Sequence, residues 1–97
     1  MSTLARLTKW YFSQCDGDWE HGYGIIIDTL DNPGWRLKVN LIDTDLELKA
    51  FQRTEIERSD NDWLQCWVKE GIFLGACGPE NLEEMLLIFC EWSDIGS

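Results

Sequence analysis

Hydrophobic positions at the start of the chain recur at helical spacing. Leu4, Leu7, Trp10 and Tyr11 predict a short amphipathic helix over residues 3–14, stopping near Gly17. The period then shortens. Tyr23–Leu30 is β-branched and apolar, a strand with Ile25 and Ile27 on one face and Ile26 on the other. Asp31-Asn32-Pro33-Gly34 is a turn signal, proline presetting φ and glycine permitting positive φ. Trp35–Leu41 alternates, with Trp35, Leu37, Val39 and Leu41 inward and Arg36, Lys38 and Asn40 outward, completing a β-hairpin. Over Leu46–Arg58 the pattern is less regular. Leu46 and Leu48 suggest a short strand, and Gln52–Arg58, with Thr54 and Ile56 inward, a longer one. Ser59-Asp60-Asn61-Asp62 forms the next turn, followed by a strand pair, Trp63–Glu70 and Ile72–Gly78, around Gly71. Gly78-Pro79 is expected to open a final helix, since proline suits a first helical position. Glu80, Glu83 and Glu84 complement the positive end of its dipole. Leu82, Met85, Leu86 and Phe89 form its buried stripe and Trp92 closes it. The expected fold is α+β: an N-terminal helix, an antiparallel meander of four or five strands and a C-terminal helix, with both helices packed on the sheet in one domain over residues 1–97.

Composition narrows the function classes. A chain of 97 residues, 44% apolar with six tryptophans, supports a core without staples and excludes global disorder. Eighteen acidic residues against eight basic ones give a net charge of −10. Such a chain repels a phosphate backbone and an anionic membrane, so no nucleic-acid or membrane partner is expected; a basic protein partner is. No apolar run approaches the ~20 residues that cross a bilayer, and Met1–Arg6 lacks the plan of a signal peptide. A cytoplasmic protein is expected.

The densest chemistry lies in Cys15-Asp16-Gly17-Asp18-Trp19-Glu20-His21-Gly22-Tyr23-Gly24. Its Asp-x-Asp-x-Glu spacing resembles the start of an EF-hand loop. The sixth position is His21 where glycine is needed, and the twelfth is Ile27 where a bidentate acid is needed. Cys15 and His21 suggest a thiolate–imidazole dyad, but neighbouring carboxylates raise a thiol pKa. Asp18 and Glu20 could act as an acid–base pair, yet adjacent loop acids are usually just solvated. Cys15, Cys66, Cys77 and Cys90 are scattered, without the paired spacing of a zinc site, and no export signal favours disulfides. No catalytic residue, metal or cofactor is expected, and the protein is read as a binder rather than an enzyme.

A binding role remains. Carboxylates beside Trp19 offer partners for lysine and arginine together with an aromatic anchor. Equally, Trp19 could fold into the core, with Tyr23 helping to pin the first helix, while the acids serve solubility. Trp63 and Trp67 share a strand face with Gln65 and Lys69, opposite Leu64, Cys66 and Val68. Helices on the Leu64 face alone would expose both tryptophans; cover on both faces would make them core, and the reading tips toward cover.

Trp10-Tyr11, the Cys15–His21 run with Tyr23-Gly24, and Thr29-Leu30-Asp31-Asn32-Pro33-Gly34-Trp35 resemble the immunity protein 53 family of bacterial polymorphic toxin systems. Ile56-Glu57-Arg58-Ser59, Asn61-Asp62-Trp63, Gly78-Pro79-Glu80-Asn81-Leu82-Glu83-Glu84 and Glu91-Trp92 fit the same pattern, so the likeness spans residues 8–92. Cys66 and Cys77 are not part of it. The resemblance implies a cytoplasmic antidote that binds a cognate toxin domain. Physical reasoning adds that an acidic protein suits a basic, phosphate-binding cleft such as that of a nuclease. Asp16, Asp18 and Glu20 are expected to face toxin cations, Trp19 and His21 to pack at the centre, and Asp31 and Asn32 to join if both turns project from one end. An adaptor unrelated to toxins, or a small enzyme using Cys15 or His21, are the alternatives.

Overall fold

The computed structural model describes residues 1–94. Helix α1 (Thr3–Gln14) begins where the Ser2 hydroxyl accepts the Ala5 N–H at 3.1 Å, an N-cap, and buries Leu7 and Trp10. A single helical turn, α2 (Trp19–Gly22), precedes strands β1 (Ile25–Leu30) and β2 (Gly34–Asn40). Strands β3 (Thr54–Ser59), β4 (Asp62–Lys69) and β5 (Ile72–Cys77) follow, then helix α3 (Leu82–Ser93). The fold is α+β, as the hydrophobic pattern predicted.

All neighbouring strands are antiparallel, in the order β1-β2-β5-β4-β3. This is not a simple meander. The hairpin β1-β2 joins the meander β3-β4-β5 through β2 and β5, so residues 41–53 must travel from mid-sheet to the far edge. They pass over the helix side, where Phe51 packs on Phe73 and Trp92 at centroid distances of 5.0 and 5.3 Å. No strand forms at Leu46–Leu48. Leu46 is 0% exposed and Leu48 97% exposed, whereas two residues apart on a strand would share a face.

The turns follow local chemistry. Glu70 and Gly71 both adopt positive φ (54° and 75°), the two-residue turn whose twist matches antiparallel strands. Gly34 serves another purpose than expected. Its φ is not positive; a Cβ there would lie 2.3 Å from the Cys77 carbonyl oxygen, so glycine permits close approach of β2 and β5. Helix α3 starts at Leu82 rather than at Pro79. Asn81, 7% exposed, donates Nδ2–H to Asp62 (2.9 Å) and Glu84 (3.1 Å) while its Oδ1 accepts the Trp63 N–H at 3.3 Å. That side chain ties the helix start to β4, leaving Gly78–Glu80 as the approach.

Both helices lie on one sheet face. There Leu37, Val39, Leu64, Phe73, Met85 and Phe89 are completely buried, and Phe89 contacts Phe73 and Trp10 edge-on, each at 5.0 Å. Among the described residues no helix covers the opposite face. Cross-strand pairing puts Ile26, Lys38, Leu74 and Trp67 in one row of it, and Asp28, Arg36, Ala76, Gln65 and Glu55 in the next. Trp63 and Trp67 therefore sit half-buried on an open face, correcting the expectation that both faces are covered. Two helices of 12 residues each suffice to cover only one side of five strands.

Candidate partner-binding surfaces

The loop between α1 and β1 is built by its own carboxylates. Asp16 Oδ1 accepts the backbone N–H of Asp18 (3.0 Å) and of Trp19 (2.9 Å). Glu20 reaches back, its two oxygens accepting the N–H of Asp16 (3.0 Å) and Gly17 (2.9 Å). The reciprocal bonds resemble a capping box and satisfy donors that a helix start leaves free. Backbone N–H donors, that of Trp19 foremost, hold the Asp16 carboxyl below its ordinary value. Glu20 is lowered likewise, by its own N–H first and then those of Asp16 and Gly17. Gly17 makes the bend at φ 90°.

Trp19 is not at the surface. It is 4% exposed, meets Trp10 edge-on at 6.2 Å, and donates its indole N–H to the Ile42 carbonyl at 2.9 Å. Burial satisfies both its ring and its polar edge, so the expected central contact is instead the post that holds the loop. Asp16, Asp18 and His21 remain exposed around it, and Glu20 is half-buried. With Trp19, Gly22, Tyr23 and Asp43 these three exposed residues line a depression of about 580 Å³. Asp43 enters from the β2–β3 connection at φ 63°, its N–H donating to Glu47 Oε1 at 3.0 Å. Asp45 lies close by, accepting from Gln14 Nε2 at 3.1 Å. Sequence reading missed this second acidic segment, because only the fold brings residues 43–47 beside residues 14–20.

Asp31 and Asn32 do not join this surface. The Asn40 N–H donates to the Gly24 carbonyl at 3.0 Å, placing the acidic loop at the start of β1 and the 31–33 turn at its finish. Six strand residues separate them, roughly 20 Å.

Nothing gathers the other candidate chemistries. Cys15 Sγ donates to the Tyr11 carbonyl at 3.3 Å, and no hydrogen bond links it to His21 among the described residues. Burial pushes the Cys66 thiol up to about 12 and Cys77 to about 11, so both stay protonated. Among the described residues no three His, Cys, Asp or Glu side chains converge to hold a metal. No helix there is long and apolar enough to cross a membrane.

The sheet edges differ. At the β3 edge, Arg53, Glu55, Glu57 and Arg58 crowd the strand, and the register shifts between Glu57 and Ser59. The β1 edge bears Ile25, Ile26 and Ile27 beside exposed Leu4, Tyr11 and Tyr23. Three consecutive isoleucines in a strand covered on one face were the available signal, since alternation calls for a polar residue at Ile26.

The family model for immunity protein 53 matches residues 4–94, nearly the entire chain, and the chain belongs to that family. No curated protein and no solved structure matches it.

Proposed function

We propose that this member of the immunity protein 53 family binds the toxic domain of a cognate polymorphic toxin in the cytoplasm and neutralises it as a stoichiometric inhibitor. The family match over residues 4–94 is the observation that supports this role most directly. The proposed toxin-facing surface is the acidic end of the sheet, with Asp16, Asp18, Glu20 and His21 joined by Asp43. A toxin with a basic, phosphate-binding cleft, such as a nuclease, suits it, because clustered carboxylates imitate the polyanion the cleft recognises. A net charge of −10 also accelerates encounter with a basic partner. Trp19 contributes from within by fixing the loop.

Co-expression with the toxin domain encoded beside the gene tests the role: rescued growth and a co-purifying complex are expected, and failure of both rejects it. Asp18→Asn tests the surface, since Asp18 makes no side-chain capping bond and its loss leaves the loop intact. Weaker toxin binding with a shallower salt dependence is expected; unchanged affinity at all salt concentrations removes the loop from the interface.

A further inference from the structure

We infer that the outer edge of β1 accepts an extended strand from the partner protein, apolar at alternate positions and basic at its ends. The inference rests on the proposed function for the identity of that partner, the toxin domain.

Backbone parity supports it first. The Asn40 N–H bonds to Gly24, and the Leu41 N–H bonds to Gly71 at 2.8 Å, so alternate residues of β2 serve opposite neighbours. With the register Ile26↔Lys38 and Asp28↔Arg36, it is Ile26, Asp28 and Leu30 whose backbone groups face β2. Ile25, Ile27 and Thr29 therefore turn their N–H and C=O groups outward, and no strand among the described residues pairs with them.

The surroundings fit an added strand. Natural sheets blunt edges with charge, proline or bulges. The β3 edge has both charge and a bulge, whereas β1 has neither proline nor bulge, and its one charge, Asp28, is paired with Arg36 of β2. Against this edge runs an apolar groove of about 460 Å³, lined by Leu4, Leu7, Tyr11, Tyr23 and Ile27 among others, without one charged residue. Side chains at every second position of an incoming strand would enter it.

Charge selects the occupant. Acids flank the apolar edge at both ends, Asp16 and Asp18 before Gly24 and Asp31 after Leu30. A second copy on this edge would bring together two chains that each carry a net charge of −10. A strand with basic ends is complementary there.

Residue-resolved amide exchange on the full chain, with the toxin domain encoded beside the gene as probe, tests this. In the free protein Ile26, Asp28 and Leu30 are expected to be protected while Ile25, Ile27 and Thr29 exchange freely. On binding, the latter three should slow at least about tenfold. Ile27→Pro removes an outward N–H without removing a β1–β2 bond, and should weaken binding at least about tenfold with the fold retained. Should that variant misfold, the exchange pattern of the unaltered chain still decides. A neutralising complex with those three amides unchanged overturns the strand inference and leaves the proposed function standing. Absence of both complex and rescue overturns both. Protection that rises with the concentration of this chain alone assigns the edge to a second copy and overturns the inferred occupant.

Discussion

Trp19 and Ile42, twenty-three residues apart, are joined by an indole N–H donated to a backbone carbonyl at 2.9 Å. That bond fastens the acidic loop to the β2–β3 connection and sets Asp43 beside Asp16 and Asp18. Trp19→Phe should lower stability by about 1–3 kcal/mol by leaving the Ile42 carbonyl unpartnered. Trp19→Ala should lower it by about 3–5 kcal/mol through lost burial and a cavity. Denaturant unfolding measures both. If Trp19→Ala proves neutral, the tryptophan is not the post of the loop.

The loop should respond to acid. Asp16 and Glu20 are held below their ordinary values of 3.8 and 4.5. A depressed folded pKa contributes stability that is fully present above the unfolded value and lost as pH falls through the folded one. The contribution should therefore be complete above about pH 5 and fade below about pH 4. Asp16→Asn and Glu20→Gln should each be less stable than the parent at neutral pH and converge with it in acid. A constant difference across that range would show that the backbone bonds do not act through ionisation.

Gly75 lies against α3. A Cβ there would meet Met85 Sδ at 2.7 Å and Cγ at 3.2 Å. Gly75→Ala should destabilise by about 1–3 kcal/mol through overpacking. Combined with Met85→Ala it should cost less than the sum of the single changes, because truncation vacates the space the methyl needs. Strict additivity in a double-mutant cycle would show that the two side chains do not compete.

Thiol chemistry separates the cysteines. Cys66, Cys77 and Cys90 are buried and all three thiols are raised by burial, while Cys15 is partly exposed. A thiol-specific reagent near pH 8 should label Cys15 alone in the folded protein and the other three only on unfolding. Rapid labelling of Cys66 in the native state would contradict the covered face described for β4.

The linear pattern was enough for the two long helices, the five strands and most of their inner faces. It missed the turn α2 and suggested a strand at Leu46–Leu48 that does not form. Alternation from Trp35 to Leu41 and the stripe Leu82, Met85, Leu86 and Phe89 follow from periods of 2 and 3.6, which are properties of the backbone and visible in any isolated segment. The immunity protein 53 resemblance was legible for a similar reason, as its residues occur in contiguous runs. What depended on distant segments meeting was decided by tertiary structure alone. Insertion of β5 between β2 and β4 fixes where residues 41–53 cross, and so brings Asp43 to Asp16 and parts both from Asp31. Trp19, Trp63 and Trp67 are chemically alike in the sequence. Helices on a single sheet face bury the first and leave the other two half-open, since side-chain burial is set by which layer arrives overhead and not by the residue's own chemistry.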